Sequence, residues 1–144
     1  MRALAALNRE AGITGMVKNS GGGGGGSMWD LVELLDGIPP KDLGVIVDVR
    51  HFGVDALLTW PVRWEIVQPH LAACCVHDGG FVDGQLVEVP LGDGIVDKRL
   101  FRAVGQMNPE FPVSLHVEYL QRGSPTDILA AIRRDFQTLK ALLV

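Results

Sequence analysis

The residues equipped for chemistry sit where apolar runs end. From Val113 to Glu118 the chain alternates, which places Val113, Leu115 and Val117 on one face of an extended segment and Ser114, His116 and Glu118 on the other. The same parity sets Met16 with Lys18, Ile46 with Asp48, and Ala73 with Cys75 and His77. Glu118 and Asp48 thus hold matching positions on two segments, and paired carboxylates are what a hard divalent cation or an acid/base step requires. The competing reading of Glu118 is a carboxylate that simply reaches solvent. His51, three residues after Asp48, is placed to bind a substrate oxygen or to cap a turn. His77 with Asp78 touches substrate or forms an exposed turn pair, and His116, inside its strand, reads as a hydrogen-bonded core histidine. Gly92-Asp93-Gly94 permits a phosphate-cradling loop but lacks the full glycine fingerprint, so a turn is the plainer reading. Trp29, Trp60 and Trp64 read as core or loop anchors, with Trp60 before Pro61 placed to wall a sugar pocket.

These groups need elements to position them. Residues 1 to 11 put Leu4, Leu7 and Ala11 on one helical face, with Gly12 as a stop. Ile13 to Asn19 reads as a short strand, and the glycine run from Gly21 to Ser27 as a loop inside one domain. A short helix around Trp29 to Leu35 precedes the strand Gly44 to Val49. A long polar and aromatic loop is expected over Arg50 to Pro61, then a helix over 62–68 and a strand from Leu71 to His77. Asp83-Gly84 between apolar flanks signals a hairpin. A helix N-capped by Asp97, a last strand from Phe111 to Tyr119 and a closing helix started by Ser124-Pro125 complete the chain. Four strands alternating with helices predict an α/β fold with a parallel sheet or barrel. In such folds the C-terminal strand ends carry the site, because the loops there vary while the scaffold stays fixed.

At 144 residues, with 47% hydrophobic and 21% charged side chains, the chain is sized for one domain with a real core. A net charge of -4 with scattered Lys and Arg argues against a nucleic-acid partner, since phosphate contacts need clustered cations. Cys74 and Cys75 are adjacent and alternate faces, so no framework disulfide is expected, and no cysteine pair has zinc-finger spacing. No apolar run approaches about 18 residues, and the N-terminus reads as an amphipathic helix rather than a signal peptide. A cytoplasmic location away from membranes is the expectation.

Five stretches in order carry a resemblance: Asp48-Val49-Arg50-His51; Leu58-Thr59-Trp60-Pro61; Val76-His77-Asp78; Val89 to Asp97; and Ser114-Leu115-His116-Val117-Glu118. Together they resemble the sugar phosphate isomerase/epimerase family, the xylose isomerase-like TIM barrels. The resemblance implies an eight-unit barrel that binds a divalent cation (manganese, magnesium, cobalt or zinc) through two glutamates, an aspartate and a histidine. It also implies metal-assisted proton transfer α to a carbonyl of a small sugar or derivative. Position by position, Asp48 matches the metal aspartate, His51 the substrate-contacting histidine, and Glu118 the glutamate that is both metal ligand and catalytic acid/base group. His77 stands as a second substrate contact.

Two positions depart from the pattern. Lys18-Asn19-Ser20 stands where the family has Glu-Asn-His, and Cys75 stands where the metal histidine falls. As a thiolate, Cys75 would join Asp48 and Glu118 as a ligand and favour zinc over magnesium. Lys18 would repel a metal, or serve as an internal cation between Asp48 and Glu118 in its place. Such barrels span about 250 residues, so residues 1–144 read as the C-terminal half of a barrel, about four strand-helix units. A half barrel exposes two sheet edges, which calls for a homo-oligomer or a missing N-terminal half. Two functional readings follow: an isomerase or epimerase of small sugars, or a truncated or degenerate non-catalytic half-barrel without a cofactor.

Overall fold

The computed structural model describes residues 1–19, 28–107, 110–120 and 123–144; the glycine run expected to be a loop lies outside them. The chain opens with α1 (Arg2–Ala11), ended by Gly12 at φ 66°, a left-handed conformation that glycine adopts without strain. β1 (Gly15–Lys18), α2 (Met28–Leu34) and β2 (Leu43–Asp48) follow. Next come α3 (Val49–Asp55), α4 (Trp60–Val67), a single 3₁₀ turn and β3 (Leu71–Val76). β4 (Asp78–Val82) and β5 (Gln85–Val89) form an antiparallel hairpin, whose Asp83 and Gly84 both have positive φ, as the tight turn requires. α5 (Lys98–Gly105), β6 (Val113–Leu115) and α6 (Pro125–Leu142) complete the chain. α6 starts with a capping box between Ser124 and Asp127 behind Pro125.

The protein is α/β. Its main sheet is wholly parallel with strand order β1-β2-β3-β6, so each strand lies beside the next parallel strand in sequence. Val45 and Val47 of β2, Cys74 and Val76 of β3, and their partners on β1 and β6 face the helices. There they pack with Leu31, Phe52, Trp64, Leu100, Phe101 and Leu139 into one core. Twelve large side chains in it are essentially inaccessible, and burial of each Leu or Phe contributes about 2 kcal/mol. The opposite face of the sheet presents Met16, Lys18 and Ser114 to solvent.

Three expectations are corrected. The segment after Asp48 is helical rather than a long loop: the Asp48 side chain caps α3 by accepting from the His51 N–H at 3.1 Å. The last strand is three residues instead of nine, because β3 ends at Val76 and the chain then turns into the hairpin. The final ladder contact runs from the His116 N–H to the Val76 carbonyl at 2.9 Å, so His116 is at the strand end and not in its interior. Third, Leu4, Leu7 and Ala11 face outward, and α1 docks through buried Ala5 and Asn8, with Asn8 donating to the Asp42 carbonyl. Helical periodicity identifies which face is apolar, not whether a neighbour covers it. Among the described residues no helix is long and apolar enough to cross a membrane.

Candidate functional site

Parallel register explains which side chains meet at the C-terminal ends of the strands. Asp48 pairs with Cys75 and Cys75 with Ser114 across β2, β3 and β6, so all three lie in one row on the face away from the core. Two residues on, His77 and His116 are neighbours, their ring centroids 5.4 Å apart. Lys18 reaches this row from β1 by the length of its side chain.

Asp48 is completely buried, and its carboxylate is held by charged and polar partners. One carboxylate oxygen meets Lys18 Nζ at 2.9 Å; the other meets His77 Nε2 at 2.7 Å and accepts from the His51 N–H. Asn19 clamps the backbone of the same residue, with the Asp48 N–H donating to its amide oxygen at 2.6 Å. His77 carries the chain of contacts outward: its Nδ1 lies 2.9 Å from Glu88, which pairs in turn with Arg50 Nε at 2.9 Å. Gly79 makes this possible, since a Cβ there would press on the Arg50 side chain. Five groups thus form a line, Lys18-Asp48-His77-Glu88-Arg50, with charges alternating in sign when His77 is protonated.

The network sets the ionisation states. Burial disfavours the Asp48 carboxylate, but His77 and Lys18 outweigh it and hold the group well below the usual range. Burial also works against charge on His77 and on Lys18; hydrogen bonds and attraction from Asp48, joined at His77 by Glu88, raise both pKa values nonetheless. Cys75 behaves oppositely. Burial and then the nearby Asp48 push its thiol up to about 11, so it is protonated near neutrality. Cys74, on the core side, is pushed to about 12 by burial, and both cysteines are free.

Glu118 stands at the open side of this cluster, about half exposed, with one oxygen 3.2 Å from His116 Nδ1. His51 leads off α3 beside the network, its ring centroid 6.2 Å from that of His77. The expected site residues Asp48, His51, Cys75, His77 and Glu118 therefore gather at one end of the sheet. His77 and Asp78 are not an exposed turn pair: they are 3% and 1% accessible. Asp78 turns the other way and accepts four backbone N–H bonds, from Gly79, Gly92, Gly94 and Val96, at 2.9 to 3.2 Å. The Gly92-Asp93-Gly94 segment is thus a turn wrapped on a carboxylate, with its N–H groups already used, and a Cβ on Gly94 would strike Asp78. Trp60 is buried, and its indole donates to Asp97 at 3.0 Å, as a core anchor does.

Glu88, Arg50 and Asn19 are members of the cluster that alternation alone did not single out, and His116, which alternation placed on the face of Glu118, belongs to it although its strand position read as core. Glu88 had a usable signal. Once Asp83-Gly84 fixes the hairpin, Glu88 falls opposite Gly79, next to the end of β3.

Two sets of side chains are arranged so that they could hold a metal. Cys75, His77 and His116 each offer one donor, and these lie within 4.8 Å of one another; the same holds for His77, Glu88 and Glu118. Neither a protein-family model nor a curated protein matches this chain.

Proposed function

We propose that the C-terminal end of the sheet is the active site of a sugar isomerase or epimerase, moving a proton α to the carbonyl of a small sugar or derivative. The observation that carries this reading is Glu118. It is a half-exposed carboxylate held by His116 and set beside a line of alternating charges that is buried at Asp48 and His77. An exposed carboxylate is free to meet a substrate C–H, and the adjacent imidazole is placed to pass the proton on. Lys18, anchored by Asp48, offers a fixed positive charge that stabilises the enolate oxygen formed when the proton leaves. His51 lines the approach as a contact for substrate hydroxyls, whereas the expected contact His77 is buried with both ring nitrogens engaged and acts from behind, holding Asp48 and Glu88.

The resemblance to metal-dependent isomerases sets a further expectation, a divalent cation of the manganese, magnesium, cobalt or zinc class. A hard cation held by Asp48 and Glu118 does not fit, because both Asp48 oxygens already face Lys18, His77 and the His51 N–H. Of the two donor sets that remain, the sulfur and imidazole nitrogens of Cys75, His77 and His116 suit a softer ion, and His77 with Glu88 and Glu118 offers mainly carboxylate oxygen. A bound divalent ion would supply polarisation of the substrate oxygens.

The wider fold reading is a half-barrel. Sequential parallel strand order, inner-face side chains exposed on the two outer strands (Met16, Lys18 and Ser114) and apolar side chains exposed on both flanks, Leu4 and Leu7 on α1 and Leu129 and Phe136 on α6, support it. Closure would come from a second copy, which sedimentation would record as a dimer; a monomer at all concentrations would refute closure. The enzymatic reading is tested by interconversion assays on small aldose and ketose pairs. Wild-type chain should turn substrate over, and Glu118→Gln should lower kcat at least about 100-fold with the fold intact. A Glu118→Gln protein as active as wild type would overturn the assignment, and an inactive wild type would favour the non-catalytic reading.

A further inference from the structure

We infer that Cys75, His77 and His116 form a binding site for a soft divalent ion of the zinc class. It deepens the proposed reading by naming the ion and its ligands, yet its test needs no substrate. Cys75 is on β3 and His77 just past its end, two residues on, and His116 follows the end of β6 with its ring 5.4 Å from that of His77, so three donors converge at the ends of two adjacent parallel strands. Three protein ligands of sulfur and nitrogen with a fourth position left open is the arrangement of a catalytic zinc. The donors lie within 4.8 Å of one another, and a tetrahedral ion with bonds of about 2.0 to 2.3 Å draws them in by side-chain rotation in which His77 exchanges one of its two carboxylate partners for the ion.

The surroundings of the two histidines point the same way. A ligating histidine normally gives its second ring nitrogen to a carboxylate, which orients the ring and strengthens the donor. His116 has Glu118 on Nδ1, leaving Nε2 for the ion. His77 has Asp48 on one nitrogen and Glu88 on the other, so ligation through either leaves a carboxylate holding the ring. Charge is also in balance. Asp48, Glu88 and Glu118 outnumber Lys18 and Arg50 by one negative charge, and a Cys75 thiolate adds a second, which one divalent cation neutralises. On binding, the Cys75 thiol proton and the proton on the ligating His77 nitrogen pass to water. Lys18 does not oppose the ion as a bare charge, because Asp48 pairs with it at 2.9 Å.

Cobalt(II) titration of the full chain is the test, since a thiolate ligand gives a sulfur-to-cobalt charge-transfer band and a tetrahedral site gives intense visible bands. One equivalent of cobalt should produce both, and one of zinc should abolish them. Cys75→Ser should remove the charge-transfer band, His116→Ala should weaken zinc at least about tenfold, and Cys74→Ala should change neither. On the wild-type chain alone, zinc should protect one of the two thiols from a disulfide reagent in mild denaturant, which keeps the test independent of how the variants fold. A wild-type chain with no cobalt spectrum and no zinc protection overturns the site. So does a band that survives Cys75→Ser, or an ion that prefers manganese and is lost in Asp48→Asn. Failure of the sugar assays with zinc binding intact would remove the isomerase and leave the metal site standing.

Discussion

Asp48 and Asp78 are the same residue type, both at the C-terminal end of the sheet and both inaccessible to solvent, yet the protein satisfies them in opposite ways. Asp78 is held by four backbone N–H groups from two segments, donors that are part of the fold itself. Asp48 is held mainly by side chains, Lys18 and His77, which are free to exchange partners. Backbone donors fix a loop; ionisable side chains leave charge and protons available. The comparison separates a structural carboxylate from one built into the proposed active site, although the sequence shows an aspartate at a strand end in both cases.

The largest effect is expected at Asp78. Asp78→Asn would turn an amide N–H₂ toward backbone donors with no water to replace the lost bonds, costing about 4 kcal/mol in chemical denaturation. Asp48→Asn should cost less, about 2 kcal/mol, because Lys18 is partly exposed and can swing into solvent. Equal losses from the two substitutions would erase the distinction.

A finer test uses pH. Asp48 and Glu88 raise the His77 pKa against the effect of burial, so the folded state holds this proton more tightly than the unfolded chain does. That stability is fully present below about pH 6.5 and is lost as pH rises through the folded value. The metal-free chain should therefore melt lower as pH rises from about 6 to about 9, and His77→Gln should flatten that part of the profile. An unchanged slope in His77→Gln would mean that the imidazolium is not part of the network.

Much of this arrangement was legible beforehand. Period-two alternation located the four parallel strands and the faces of Lys18, Asp48, Cys75 and His77, because a strand fixes side-chain direction without reference to the rest of the fold. Gly12, Asp83-Gly84, Asp97 and Ser124-Pro125 marked boundaries through local backbone chemistry. What stayed hidden depends on tertiary contacts. Residues 49–55 are polar and aromatic in sequence yet helical, since a buried Asp48 supplies the cap. The role of Glu88 needed the hairpin to fold back on β3, and His116 looked interior until the end of β3 shortened its strand. Nor does the identity of Lys18 reveal that it occupies one oxygen of Asp48, which decides what kind of ion the proposed site would take.

The central claim is that Glu118 moves a proton at this site, and solvent exchange tests it without requiring that product accumulate. Small aldoses and ketoses incubated with the chain in deuterium oxide, with zinc present, would be followed by NMR at the position α to the carbonyl. The account predicts deuterium incorporation into at least one sugar by the wild-type chain, slowed at least about 100-fold in Glu118→Gln. No incorporation into any of them, or incorporation at the same rate in Glu118→Gln, would contradict it.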